Sequence, residues 1–96
     1  MPKPEVCPVV VHASESGRFE IRLGDALAVA EYVRGDGEIV LTRTLVPPEL
    51  HGRGLAERLV RAALEFARTE RLRVVPACSY VSAFLERHPE LVAPSR

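Results

Sequence analysis

Aromatic residues are scarce in this chain: three Phe, two Tyr and no Trp among 96 residues. Its core must therefore be built from Val, Leu, Ile and Ala, a palette that suits strands packed against helices. Charge of one sign is lacking too, since 13 basic side chains balance 13 acidic ones. That removes the broad attraction to phosphate backbones that a nucleic-acid binder carries, and no stretch interleaves aromatic with basic residues. Lys3 is the only lysine, so nearly all the positive charge is arginine. Only two cysteines occur, Cys7 and Cys78, and they do not form a CxxC pair. No apolar run is long enough for a signal peptide or a membrane span. The expectation is a cytoplasmic protein whose two thiols stay free and are not joined as a disulfide. His12, His51 and His88 are too scattered for a metal-ligand set. Without repeats, linkers or low-complexity segments, residues 1–96 are expected to form one domain.

What is present is ordered as strands first, then helices. Val6 to His12 is β-branched and apolar but broken by Pro8, which suits an edge strand. Ala13 to Gly17 reads as a turn. Arg18 to Leu23 alternates, with Phe19, Ile21 and Leu23 on one side and Arg18, Glu20 and Arg22 on the other. After the Gly24-Asp25 break, Ala26 to Arg34 and Glu38 to Val46 are two β-like runs joined by Gly35-Asp36-Gly37, a strong hairpin signal. Four strands of an antiparallel meander are predicted. Past Pro47-Pro48 the period changes: Leu55, Ala56, Leu59, Val60, Ala63, Leu64 and Ala67 share one helical face, with Arg58, Arg61, Glu65 and Arg68 opposite. Leu72 to Val75 is a short strand, expected to join the sheet by a crossover, parallel to Glu38 to Val46. A second helix is predicted from Ser79 to Arg87, stopped by Pro89.

The junction before the long helix, Leu50-His51-Gly52-Arg53-Gly54-Leu55-Ala56, is the most informative stretch. Between Glu49 and Ala56 there is no Ser, Thr, Asp or Asn to cap the first backbone N–H groups. Two glycines instead let the backbone curl, leaving those N–H groups and the positive end of the helix dipole available to an anion such as a diphosphate. The structural alternative is a tight turn whose amides bind water. Two familiar glycine-rich phosphate loops do not fit: there is no Gly-Lys-Ser/Thr ending, and no GxGxxG after the first strand of a βαβ unit.

The stretch does resemble the acetyl-CoA signature of the GNAT acetyltransferases, Gln/Arg-x-x-Gly-x-Gly/Ala, matched as His51-x-x-Gly54-x-Ala56 with His51 departing from the usual first residue. Val46-Pro47, Leu59-Val60, Ala63-Leu64, Pro76-Ala77-Cys78-Ser79-Tyr80 and Arg87-His88-Pro89-Glu90 extend the likeness to the minimal, single-domain branch of that superfamily. The resemblance implies an α+β, GNAT-like fold: a mostly antiparallel sheet with one splayed parallel strand pair, one long helix and a shorter C-terminal helix. The pair is expected to diverge at Val46 and Val75. It implies acetyl-CoA or coenzyme A as co-substrate. Its pantetheine arm would bond Thr44, Leu45 and Val46, and its pyrophosphate would rest on the loop of His51, Gly52, Arg53, Gly54, Leu55 and Ala56.

The acetyl group is then expected near Cys78 and Tyr80, and the implied activity is N-acetyltransfer to an amine. Two routes stay open: direct attack by the amine, with Tyr80 protonating the departing thiolate, or prior acetylation of Cys78, a thiol near a helix N-terminus. A non-catalytic acyl-CoA-binding or sensing domain is the alternative reading. Neither a nucleic acid nor a membrane is expected as partner, and the sequence leaves the oligomeric state and the identity of the amine open.

Overall fold

The alternation in Arg18–Leu23 does what a half-buried strand requires: Phe19 and Ile21 are buried while Arg22 faces solvent. The computed structural model describes residues 9–92. Its elements are β1 (Val11–Ala13), β2 (Arg18–Leu23), β3 (Ala26–Gly35), β4 (Glu38–Leu45), α1 (Leu55–Thr69), β5 (Arg73–Pro76) and α2 (Ser79–Arg87). Short 3₁₀ turns lie at Ser14–Ser16, Pro48–Leu50 and Pro89–Val92. The five strands form one sheet in the order β1-β2-β3-β4-β5, antiparallel except for the last pair. The α+β, GNAT-like architecture expected from the sequence is the one observed.

Among the described residues the edge strand covers Val11, His12 and Ala13, one residue beyond the expected end at His12. Its register with β2 starts at Ala13↔Arg18, directly after the turn. Val6, Cys7 and Pro8 fall outside the described residues. The β3–β4 hairpin closes on Gly35↔Glu38, with Asp36-Gly37 as its two-residue loop.

α1 carries the chain across the sheet so that β5 returns parallel to β4, the crossover that a parallel pair requires. Leu55, Leu59, Val60, Ala63, Leu64 and Ala67 of α1 are buried with Val81, Phe84 and Leu85 of α2 against Phe19, Ile21, Ala28, Ala30, Ile39 and Leu41 of the sheet. Both helices thus contribute to one core on one sheet face. Fully burying side chains such as Phe84, Ile39 and Leu59 stabilises the fold by roughly 1.5–3 kcal/mol each. Val29 is buried but lies outside that core, on the opposite side of the pleat beside its partners Glu20 and Leu45.

The parallel pair runs from Glu38↔Arg73 to Leu41↔Pro76, and an Ala77 N–H to Leu41 carbonyl bond of 3.0 Å ends it. Divergence therefore begins after Leu41 and Pro76, well before the expected Val46 on β4 but one residue past the expected Val75 on β5. β5 is only four residues long, and Pro76 has no N–H to prolong the ladder. At the other end, an Arg73–Glu38 ion pair of 2.5 Å sits at the first rung.

Candidate active site

The divergence leaves the last part of β4 without a partner on its β5 side, directly before the start of α1. Pro47 and the Pro48–Leu50 turn lead away from the strand, with Leu50 buried as the anchor of the loop. His51 then folds back: its Nε2 lies 2.8 Å from the Val46 carbonyl oxygen. An acceptor at that distance requires the proton on Nε2, so the ring donates to the end of the strand and fixes the loop on it.

Gly52 and Gly54 both have positive φ, +83° and +73°. Gly54 is the N-cap of α1 and supplies no side chain to its amides. The first ladder bond runs from Arg58 N–H to the Gly54 carbonyl at 3.2 Å, so the N–H groups of Leu55, Ala56 and Glu57 have no acceptor within the helix. A Cβ built on either glycine would meet no heavy atom within 4 Å. The backbone therefore presents donors, and the positive end of a 15-residue helix, to open space.

That space belongs to a cleft of about 470 Å³. Thr44, Leu45 and Val46 form one wall, the loop residues Leu50, His51, Gly52 and Gly54 the floor, and Leu55, Ala56 and Glu57 the helix side, with Tyr80 reaching in from α2. Of the residues expected around the co-substrate, Arg53 alone does not line it and is exposed to solvent. Leu50 and Glu57 line it without having been anticipated. An apolar side chain in an otherwise polar loop is the signal for Leu50. Glu57 lies three residues after Gly54, on the first turn that the loop presents.

Cys78 is not part of the cleft wall but lies against it through Thr44. A register shift between β3 and β4 at Glu31/Tyr32 leaves Thr42 without a partner on β3. Its hydroxyl donates to the Glu31 carbonyl at 3.2 Å. Side chains alternate along a strand, so Ile39 and Leu41 face the helices and Thr44 would otherwise face away. The extra residue restores it to the helix side, opposite the buried Ala30. There its Oγ1 lies 3.6 Å from Cys78 Sγ.

Cys78 is the N-cap of α2 and carries a free thiol. Burial by itself pushes that thiol up, but the Val81 N–H, the Thr44 hydroxyl and the Tyr80 N–H favour the thiolate and hold it below the ordinary cysteine value. Tyr80 moves the other way. Burial, and then the nearby Glu57 carboxylate, raise its phenol above the usual value, with Arg87 opposing. The cleft thus brings together a bare set of amides and a phenol inclined to stay protonated, with a thiol inclined to ionise one side chain behind its wall.

The remaining histidines lie elsewhere. His12 Nε2 is 2.6 Å from the Tyr32 hydroxyl, and its ring stacks on Phe19 at 4.2 Å and meets Phe66 edge-on at 4.5 Å. This aromatic cluster borders a wider hollow of about 710 Å³ with Arg34 and Glu70, at the opposite end of α1 from the glycine loop. His88 follows α2, 4.5 Å from the Phe84 ring and 3.5 Å from a Glu90 carboxylate oxygen. Among the described residues no three His, Cys, Asp or Glu side chains could hold a metal ion. Nor is any helix among them long and apolar enough to cross a membrane.

Comparison with known proteins agrees with this geometry. The GCN5-related N-acetyltransferase family model matches residues 18–93. Protein NATD1 of Bos taurus is 36% identical over 88 residues, covering 86% of this chain and 77% of that protein. Human Protein NATD1 is 34% identical over the same 88-residue span length, again with 86% and 77% covered. The solution NMR structure of a GCN5-like protein from Staphylococcus aureus superposes with a TM-score of 0.69 at 29% identity, covering 86% of this chain and 82% of that one. The match spans the meander, the glycine loop and both helices, and the chain belongs to the GCN5-related N-acetyltransferase family.

Proposed function

We propose that this protein moves an acetyl group from acetyl-CoA to an amine, with Cys78 as the intermediate acyl carrier and Tyr80 as the proton donor to the departing coenzyme A sulfur. What carries this reading is one juxtaposition: the uncapped amides of the Gly54–Glu57 helix start and Thr44 border a single cleft, and Cys78 stands against Thr44 behind its wall. The space beside Gly52 and Gly54 suits a diphosphate held by main-chain N–H groups. The main chain of Thr44, Leu45 and Val46, without a β5 partner, offers strand-like bonds to the amides of pantetheine. Arg53, exposed beside the loop, is free to swing towards the phosphates.

In the first step the Cys78 thiolate attacks the thioester carbonyl. A bond forms between Sγ and the acetyl carbon, the carbon–sulfur bond to coenzyme A breaks, and that sulfur takes the Tyr80 proton. In the second step a neutral amine attacks the acetyl group on Sγ. The amide bond forms, Cys78 leaves as the thiolate, and the proton lost by the amine returns to the Tyr80 phenolate. A thiol with a lowered pKa and a phenol with a raised one suit these two roles at neutral pH. A reducing, cytoplasmic setting would keep Cys78 available.

Incubation with acetyl-CoA alone, followed by intact mass measurement, tests the reading. One hydroxylamine-labile acetyl group is expected on the protein, formed with release of one coenzyme A and absent in Cys78→Ala, and an amine should then remove that acetyl group and allow further turnover. Amine-dependent release without a label, persisting in Cys78→Ala, would instead mean direct attack with Tyr80 as the acid. Binding of coenzyme A with neither label nor release would make the chain an acyl-CoA-binding domain.

A further inference from the structure

We propose that the side-chain hydroxyl of Thr44 is a positioning residue for Cys78: it orients Sγ towards the cleft and, once the thiol has lost its proton, donates a hydrogen bond to the sulfur. The inference rests on the reading of Cys78 as acyl carrier, and it assigns the Thr44 side chain a task separate from any main-chain contact to the co-substrate.

Geometry carries it. β4 has no need of a hydroxyl on its helix-facing side, where Ile39 and Leu41 pack into the core. It is the unpaired Thr42 that returns Thr44 to this side and aims its Oγ1 at Sγ, 3.6 Å away. Thr44 also lines the cleft, whereas Cys78 stands one side chain behind the wall, so the hydroxyl occupies the boundary between the sulfur and the site of the acyl group. In the resting pair the thiol donates to Oγ1. When Sγ gives its proton to solvent, rotation about the Cβ–Oγ bond turns the hydroxyl hydrogen towards sulfur, and the same contact becomes charge-assisted.

No other side chain takes this place. The further groups that favour the thiolate are main-chain ones, from Val81 and Tyr80 of α2 and from Thr44 itself. The nearby Tyr80 of α2 acts on the thiol through its main-chain N–H, while its phenol is raised by burial and then by Glu57 of α1. β-branching restricts χ1 of Thr44, so the oxygen is held in one direction without a further hydrogen bond.

The test is the pH dependence of Cys78 alkylation by iodoacetamide, in a Cys7→Ser background so that a single thiol reports, and without acetyl-CoA. Thr44→Val keeps the shape and removes the oxygen. Its midpoint should move up by about one pH unit, which at pH 7 means up to roughly tenfold slower alkylation, the scale of one hydrogen bond to a charged group. Thr44→Ser should restore the original midpoint even if its looser rotamer lowers the thermal midpoint. An unchanged alkylation midpoint in folded Thr44→Val, or a raised midpoint in Thr44→Ser equal to that of valine, overturns the proposal. Should Thr44→Val not fold, Thr44→Ala against Thr44→Ser gives the same comparison. Because the measurement uses no acyl donor, a failure of Cys78 to become acetylated would show in the mass experiment and leave this result readable on its own.

Discussion

Replacing Gly54 by valine separates the anion cradle from the rest of the fold. The residue sits at φ +73° with open space where a Cβ would be. The damage to the protein is therefore backbone strain without a clash, about 1–2 kcal/mol for an L-residue in the left-handed region. A domain stabilised by about 5–15 kcal/mol remains folded, with a thermal midpoint lower by roughly 4–8 °C for each kcal/mol lost. Binding should suffer far more, because the branched side chain projects into the space that the helix amides face. Losing two charge-assisted bonds of about 1.5 kcal/mol or more each weakens coenzyme A at least roughly a hundredfold. Gly37 is the control: it has φ +76°, an equally open Cβ position and a place in the β3–β4 hairpin away from the cleft. Calorimetric titration with coenzyme A should find no measurable binding in Gly54→Val and the original affinity in Gly37→Val. Unchanged affinity in a folded Gly54→Val variant, or equal loss in both, would refute the cradle.

The shifted groups predict a broad pH profile for acyl transfer. Rates should rise as pH climbs through the lowered Cys78 value and fall again only above the ordinary tyrosine range, where Tyr80 loses its proton; Tyr80→Phe should remove the alkaline limb and lower kcat about 10²-fold. His12 is held neutral by burial, its pKa lowered from 6.5. Its contribution to stability is therefore complete above that unfolded value and is lost as pH falls through the folded one, so urea midpoints should drop on the acid side of pH 6.5 in the parent and not in His12→Phe. Phe84→Ala empties a fully buried position and should cost about 3–5 kcal/mol, read as a lower urea midpoint at unchanged slope.

Local chemistry was what the sequence made legible. Arg18–Leu23 and Ser79–Arg87 have the boundaries that alternation and the stop at Pro89 imply. The missing cap before Leu55 corresponds to a glycine N-cap in the left-handed region. Features that depend on two segments at once were not legible. β5 runs out at Pro76 while β4 continues to Leu45, so where the parallel pairing ends is set by the register between the two strands and not by either segment alone. The unpaired Thr42 leaves no mark in a sequence without a glycine at that point, because it is a mismatch in length between β3 and β4. Cys78 and Thr44 are 34 residues apart, so their contact is a product of the crossover and not of spacing. Glu57 stands in the first turn of α1, and its place on the cleft wall depends on where α2 sets Tyr80.

The unpaired Thr42 acts as a change of phase in β4. Before it, odd-numbered residues serve the core; after it, the even-numbered Thr44 takes over the same side. The strand is in effect two short texts written in different reading frames, one for packing and one for chemistry. Substitutions within either part act on that part alone, but pairing Thr42 with Glu31 as an ordinary rung would shift everything downstream. The helices and the sheet order could survive such a slip, while Arg43 and Leu45 would turn inward and the threonine hydroxyl would face water. In a lineage of such chains the residue at Thr42 could be lost altogether and still leave Thr44 opposite Ala30, whereas straightening the strand with every residue kept could not.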